Sequence, residues 1–233
     1  MHEEIRKLLS PLNNELAPLR QMAESLIDED SLIDPATGAA LISRRTKIAP
    51  EAFACVIYPG MPHEAITRYE EMLSDGPSFS LTIPDAYKTI LSRCNGAEIL
   101  KMNLYGLPPS MCNNPPLLSR SSRQPLDLAT ANKDWRRAFQ PDPTQFHFGG
   151  AYYSPEENLA YFLNPDGEVE ALRKGKLRVN LWPNFESFLS DELSRLAALY
   201  PAYEQSRFEL RQSWEAEAKT KRDARYAARK SRK

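Results

Sequence analysis

Between Leu81 and Gly106 the chain reads Leu-Thr-Ile-Pro-Asp-Ala-Tyr-Lys-Thr-Ile-Leu-Ser-Arg-Cys-Asn-Gly, then an apolar run closing on Leu104-Tyr105-Gly106. A helix start, a helix stop and a strand are written here in about 25 residues. Pro84 suits a first helical turn, where a missing N–H costs little. Ile83, Tyr87, Ile90 and Leu91 then share one helical face. Asn95-Gly96 offers the left-handed residue that ends such a helix. Residues 97–105 are long enough for one strand.

The chain has 233 residues, enough for one domain with extensions or two small ones, with a core that needs no staples. Apolar content of 42% beside 26% charged residues predicts a soluble globular protein. No apolar run approaches the ~18 residues of a membrane helix, and Met1-His2-Glu3-Glu4 does not open a signal sequence. A cytoplasmic location is the resulting expectation. Cys55, Cys94 and Cys112 are widely spaced and form no CxxC, which fits thiols in a reducing compartment. Nineteen prolines against nine glycines argue for rigid turns over a glycine-cradled nucleotide site.

Charge is divided unevenly. Residues 219–233 hold eight basic residues against one acid, Asp223, a local +7; with a net charge of −1, residues 1–218 carry −8.

Residues 1–29 place Ile5, Leu8, Leu9, Leu12, Leu16, Leu19, Met22 and Leu26 at helical spacing. Pro11 and Pro18 predict two short helices or a kinked one. Asp34-Pro35-Ala36-Thr37-Gly38 is a turn signal, and 53–58 reads as one added strand. A helix over 63–73 would bury Ile66, Tyr69, Met72 and Leu73, with Gly76-Pro77 ending it. Residues 108–125 read as a loop. Asp127 caps a helix to Phe139, with Leu128, Ala131, Trp135 and Phe139 inward. Strands follow at 146–153, 159–163 and 169–172, with Asn164-Pro165-Asp166-Gly167 as a hairpin turn, and a short one at 179–182. Asn184 caps a helix striped by Phe185, Phe188, Leu189, Leu193, Leu196 and Tyr200. Pro201 should break it, and a last segment loses its apolar face after Trp214. Residues 216–233 are expected to form a frayed or free basic tail.

In order, these landmarks resemble the SUKH superfamily of cell-wall regulators (the Smi/Knr type) and bacterial toxin-immunity proteins. The matching residues are Ile83-Pro84 with Tyr87, Asn95-Gly96, Tyr105-Gly106, Asp166-Gly167, and Trp182 with Phe185, Phe188 and Leu189. The resemblance covers 61–200. It implies an α+β fold with a mostly antiparallel sheet of about four to six strands packed by helices. Element order gives the same class. Residues 1–60 then form a helical extension and connector, and 201–233 a C-terminal helix with the basic tail.

Chemistry is sparse. His2, His63 and His147 lack a Cys, His or acid at zinc-ligand spacing, so no metal and no cofactor are expected. His147-Phe148-Gly149-Gly150 could evoke an oxyanion hole, but no Gly-x-Ser-x-Gly elbow accompanies it; a strand ending in a glycine bend is the preferred reading. No Walker loop or GxGxxG is present. Acids at Asp28-Glu29-Asp30, Glu70-Glu71 and Glu156-Glu157 read as solvated faces or as a patch steering a basic partner such as a nuclease toxin. Adjacent strand residues point to opposite faces, so either Tyr152 or Tyr153 should meet solvent and a partner.

The expected function is a non-enzymatic protein-binding module, foremost an immunity protein blocking a toxin. Partner-binding candidates are Tyr152, Tyr153, Glu156, Glu157, Asp28, Glu29 and Asp30. The alternatives are a regulatory interaction module of the Smi/Knr type, or a nucleic-acid-associated protein using 219–233.

Overall fold

A computed structural model describes residues 2–49, 52–74, 80–111, 124–154 and 157–230. Its centre is one nine-stranded sheet in which every strand pairs antiparallel with its neighbours in sequence. The expected α+β class holds, but the expected four to six strands are too few. Residues 30–60 supply three strands where one was expected, and 97–105 form parts of two.

The first helix, α1 (His2–Leu9), a 3-10 turn (Asn14–Leu16) and α2 (Ala17–Ser25) realise the proline-split pattern. β1 (Leu32–Ile33) and β2 (Ala40–Arg44) flank the Asp34 turn, where Asp34 Oδ1 accepts from Ala36 N at 3.1 Å and Gly38 takes φ +71°. β3 (Phe53–Pro59) leads into α3 (His63–Ser74). α3 buries Ile66 and Tyr69, while Met72 is 54% exposed and outside the expected apolar face. Gly76-Pro77 lies outside the described residues.

α4 (Asp85–Arg93) starts one residue after Pro84 and runs directly into β4 (Cys94–Ile99). Asn95-Gly96 therefore does not cap the helix; both residues sit in the strand. β4 turns through Leu100 and Lys101, at φ +46° and +67°, into β5 (Met102–Leu104). Two consecutive left-handed residues make the tight hairpin turn that matches strand twist, so the single expected strand is two. α5 (Leu128–Lys133) is capped by Asp127, whose Oδ2 accepts from Thr130 N at 3.0 Å. It gives way to a 3-10 turn, Trp135–Ala138, which leaves Trp135 37% exposed instead of inward.

β6 (Phe146–Tyr152), β7 (Asn158–Leu163), β8 (Val169–Arg173) and β9 (Leu177–Trp182) complete the sheet. Gly167 takes φ +93° in the expected β7–β8 turn. His147-Phe148-Gly149-Gly150 lies inside β6, with a bulge between His147 and Gly149, so the strand does not end there. α6 (Phe185–Lys230) opens at Asn184, whose Oδ1 accepts from Ser187 N at 2.8 Å. It passes through Pro201 without ending and carries the basic segment to Lys230 as helix, correcting the expected break and the expected free tail.

One sheet face and the helices form the main core. Ile5, Leu9, Tyr69, Tyr87, Ile90, Phe188 and Leu196 meet Ala40, Ile57, Ile99, Leu104, Phe148 and Tyr161 there. α6 is tied down by a polar chain that runs from buried Tyr161 and Glu192 out to half-buried Arg195, Glu157 and Arg173. The Tyr161 hydroxyl donates to Glu192, Arg195 donates to Glu192 at 2.7 Å and to Glu157 at 3.0 Å, and Arg173 reaches Glu157 at 3.4 Å. Alternate residues on the opposite face gather into two smaller apolar groups, one around Leu41, Val56 and Tyr58 and one of Phe139, Ala160, Phe162 and Leu172.

Candidate functional site: a groove on the opposite sheet face

The motif residues first build a lock between β4, β5 and β6. Asn95 behaves as an extra piece of strand: its Nδ2 donates to Leu107 O at 3.0 Å, and its Oδ1 accepts from Leu107 N at 2.7 Å. That crossing is so close that a Cβ on Gly106 would lie 2.3 Å from Asn95 O, and one on Gly96 2.6 Å from Leu104 O. Tyr87, fully buried, donates to Tyr105 O at 2.6 Å and lies 3.2 Å from Phe148 O. It thereby serves carbonyls at the β6 bulge, where the strand ladder is interrupted. Asn132 clips α5 to the same place, donating to His147 O at 2.8 Å and accepting from His147 N at 2.9 Å.

The bulge turns His147 onto the opposite face, beneath a groove of about 440 Å³. Gly150 pairs with Asn103 on one side and Ala160 on the other, so the floor is low at Gly150 and Ala160. The Tyr105 hydroxyl overhangs Gly150; a Cβ there would be 3.0 Å from it. Leu126, Trp135, Phe139, Tyr152 and Lys174 line the groove around that floor. Trp135 stands edge-on to Tyr105 with ring centres 5.5 Å apart. Leu126, Trp135 and Tyr152 are 41%, 37% and 55% exposed, so the rim presents large apolar groups to solvent.

His147 is buried among rings, stacked on Phe162 at 4.6 Å and edge-on to Tyr105 at 5.1 Å. Burial lowers its pKa to about 4, against the opposing pull of the Ala131 and Gly149 carbonyls and with help from the Arg136 charge. Neutral at physiological pH, it donates from Nδ1 to Ala131 O at 3.2 Å, and its buried Nε2 makes no hydrogen bond. Burial also raises the Tyr105 phenol well above its ordinary value, so it stays protonated. The result is a concave, largely aromatic surface whose lining carries Lys174 and no carboxylate, suited to seating an apolar or aromatic group.

No family model, curated protein or solved structure matches this chain.

The expected partner-binding residues are scattered. Tyr152 faces solvent on the groove rim. Tyr153 turns the other way, donating to Leu100 O and standing 5.4 Å from the Tyr203 ring. Glu157 is held by Arg173 and Arg195, and Glu156 lies outside the described residues. Asp28 caps its own turn, accepting from Ser43 at 2.5 Å, Ser31 at 2.9 Å and Asp30 N at 3.2 Å. Burial would raise its pKa, but these donors outweigh it and hold the carboxyl below its usual range. Glu29 and Asp30 are exposed, yet their neighbour β2 is four strands from β6, roughly 19 Å across the ladder.

Cys55 and Cys94 are buried free thiols, and burial raises both pKa values; Cys112 lies outside the described residues. Among the described residues no three His, Cys, Asp or Glu come together in a group able to hold a metal ion. Sequence reasoning missed Leu126, Phe139 and Lys174 as groove residues, and it weighed Trp135 as an interface aromatic but favoured the core. Trp135 sits at helical spacing from Leu128 and Ala131, and that spacing pointed it inward.

Proposed function

We propose that this chain is a non-enzymatic protein-binding module, in its most concrete form an immunity protein that binds and neutralises a toxin. The observation that supports the reading is the gathering of Leu126, Trp135 and Tyr152 around one preformed hollow. Exposed aromatic anchors around a concave floor are the chemistry of an interface centre. The order of SUKH-like motifs supports it as well, because those residues build the lock that shapes the hollow. Charge plays a smaller part than expected, since the groove lining offers Lys174 and no carboxylate. Blocking is steric: an apolar side chain of the partner fills the hollow, and the rest of a standard interface of ~800 Å² per side covers the partner's working surface.

The test is co-expression with toxic products of neighbouring genes, scored by growth rescue and pull-down. Trp135→Ala and Tyr152→Ala should each weaken capture at least ~30-fold, the effect of a ~2 kcal/mol anchor, with an unchanged melting curve. Capture without rescue would move the assignment to a regulatory module of the Smi/Knr type. Capture and rescue that survive both substitutions would remove the groove from the function.

A further inference from the structure

A second surface lies where the β2–β3 connection meets α6. Arg44, Arg45, Thr46 and Lys47 line one side of a cavity of about 400 Å³, and Pro201, Glu204, Gln205 and Phe208 line the other. Among the described residues of that lining, Glu204 is the one acid, and Arg45 already pairs with it at 2.9 Å. Arg44 lies over the Phe53 ring at 5.5 Å and, like Lys47, is exposed. Just above, Arg211 donates to Thr46 O and pairs with Glu215 at 2.8 Å, so the helix stays fixed to the pocket up to this turn.

The charge continues along the helix. Phe208, Arg211, Glu215, Lys219 and Arg222 follow one another at intervals of three or four, which puts them on one side of α6. Lys219 and Arg222 are exposed, and their spacing from Phe208 puts them on the pocket's side of the helix. From Phe208 to Arg222 the axis advances about 21 Å. The same spacing continues in the sequence through Tyr226, Arg229 and Lys230. Such a helix has no apolar face to pack; Arg211, Lys219 and Arg222 fall on the side that begins at the basic pocket, while Lys221 lies toward the other side, paired with Glu217 at 2.5 Å.

We propose that this pocket and the α6 face together form a binding site for the phosphate backbone of nucleic acid. A compact anion would be served by the pocket alone. Lys219 and Arg222, beyond the Arg211–Glu215 pair and up to about 21 Å along the axis from Phe208, add cations at a distance that a polymer with regularly repeated phosphates can span. Recognition is of the backbone and carries no base readout, since the row offers cations and no set of stacking rings. This surface is separate from the groove around Trp135, and the two assignments stand or fall independently.

The experiment is fluorescence anisotropy of the full-length protein with labelled 20-base-pair RNA and DNA duplexes, from 50 to 200 mM salt. With four phosphates neutralised, affinity should fall about 150-fold across that range. Lys47→Glu and the pair Lys219→Glu/Arg222→Glu should each weaken binding at least tenfold, with unchanged circular dichroism and an unchanged melting curve. Each half of the surface is thereby tested separately. Absent binding, salt-independent binding, or insensitivity to both variants would overturn the proposal. So would poly-glutamate of matched charge, or vesicles of anionic lipid, binding more tightly than either duplex.

Discussion

Replacing His147 with Phe should remove a defined part of the protein's acid sensitivity. In the folded chain the imidazole is wrapped by Phe162, Tyr105 and Phe139 and titrates at about 4, against an ordinary 6.5. The folded state therefore binds fewer protons than the unfolded state between those two values. Stability rises with pH wherever the unfolded state holds more protons, so this contribution is present above pH 6.5 and is lost as pH falls toward 4. At pH 5 the unfolded imidazole is almost fully protonated and the folded one about a tenth so. The difference amounts to about 2 kcal/mol lost between pH 7.5 and 5. Phe keeps the stacking surface and cannot titrate, although it gives up the bond to Ala131 O. The assay is urea denaturation of both proteins at pH 7.5, 6 and 5, comparing how their free energies change with pH. The carboxylates common to both cancel in that comparison. Equal pH slopes for wild type and His147→Phe would refute the argument, and a wild type stabilised by acid would reverse its sign.

Other substitutions test the framework. Tyr87→Phe strips the donor from Tyr105 O and Phe148 O in a fully buried site, and should cost about 1–3 kcal/mol in chemical denaturation. Arg195→Met leaves Glu192, which is 2% exposed, without its main partner and should cost about 3 kcal/mol. Adding Glu192→Leu together with Tyr161→Phe, which removes the charge and the buried hydroxyl that donates to it, should recover most of the loss, and a further drop would contradict the reading of Glu192 as a stranded charge. Pro201→Ala restores a donor for Ala197 O inside α6. It should stabilise by about 2 kcal/mol after the gain in unfolded-chain entropy is subtracted, provided the Arg45–Glu204 contact survives. A lower melting temperature would show that the helix needs proline's geometry to reach β2.

Local rules read much of this chain correctly, and their failures have identifiable causes. Asp127, Asn184, the Asp34 turn and the Asn164–Gly167 turn all appear where side-chain capping and left-handed glycine demand them. Asn95-Gly96 was misleading because Asn followed by Gly fits a helix cap and a strand crossing equally well. Only the partner at Leu107, twelve residues on, decides between the two. Two strands before residue 53 were invisible because β1 has two residues and β2 owes its burial to both sheet faces, which erases alternation. Propensity alone predicts a break at Pro201, whereas contacts on either side hold α6 together: Glu192 and Arg195 before it, Glu204 and Arg211 after it. The groove was the least legible feature. Its walls come from residues 126–139 and its floor from strands 103–160, and nothing local to Trp135 signals that it will face Tyr105.

The two sheet faces divide the work for a physical reason. On the helix-covered face, Tyr153 and Glu157 are consumed in holding α6, through Leu100 O, the Tyr203 ring and Arg195. Neither can leave for a partner without exposing that joint. On the other face, Tyr152 has no such duty, and the strand's alternation sends it to the groove as a direct consequence of fixing Tyr153. The β6 bulge adds to this by placing Phe148 in the core and His147 under the groove while Gly149 and Gly150 keep β5 and β7 within reach. A surface held from behind by Tyr87, Asn132 and Asn95 loses little conformational freedom when a partner arrives. That rigidity is why a few exposed rings can be expected to anchor a whole interface.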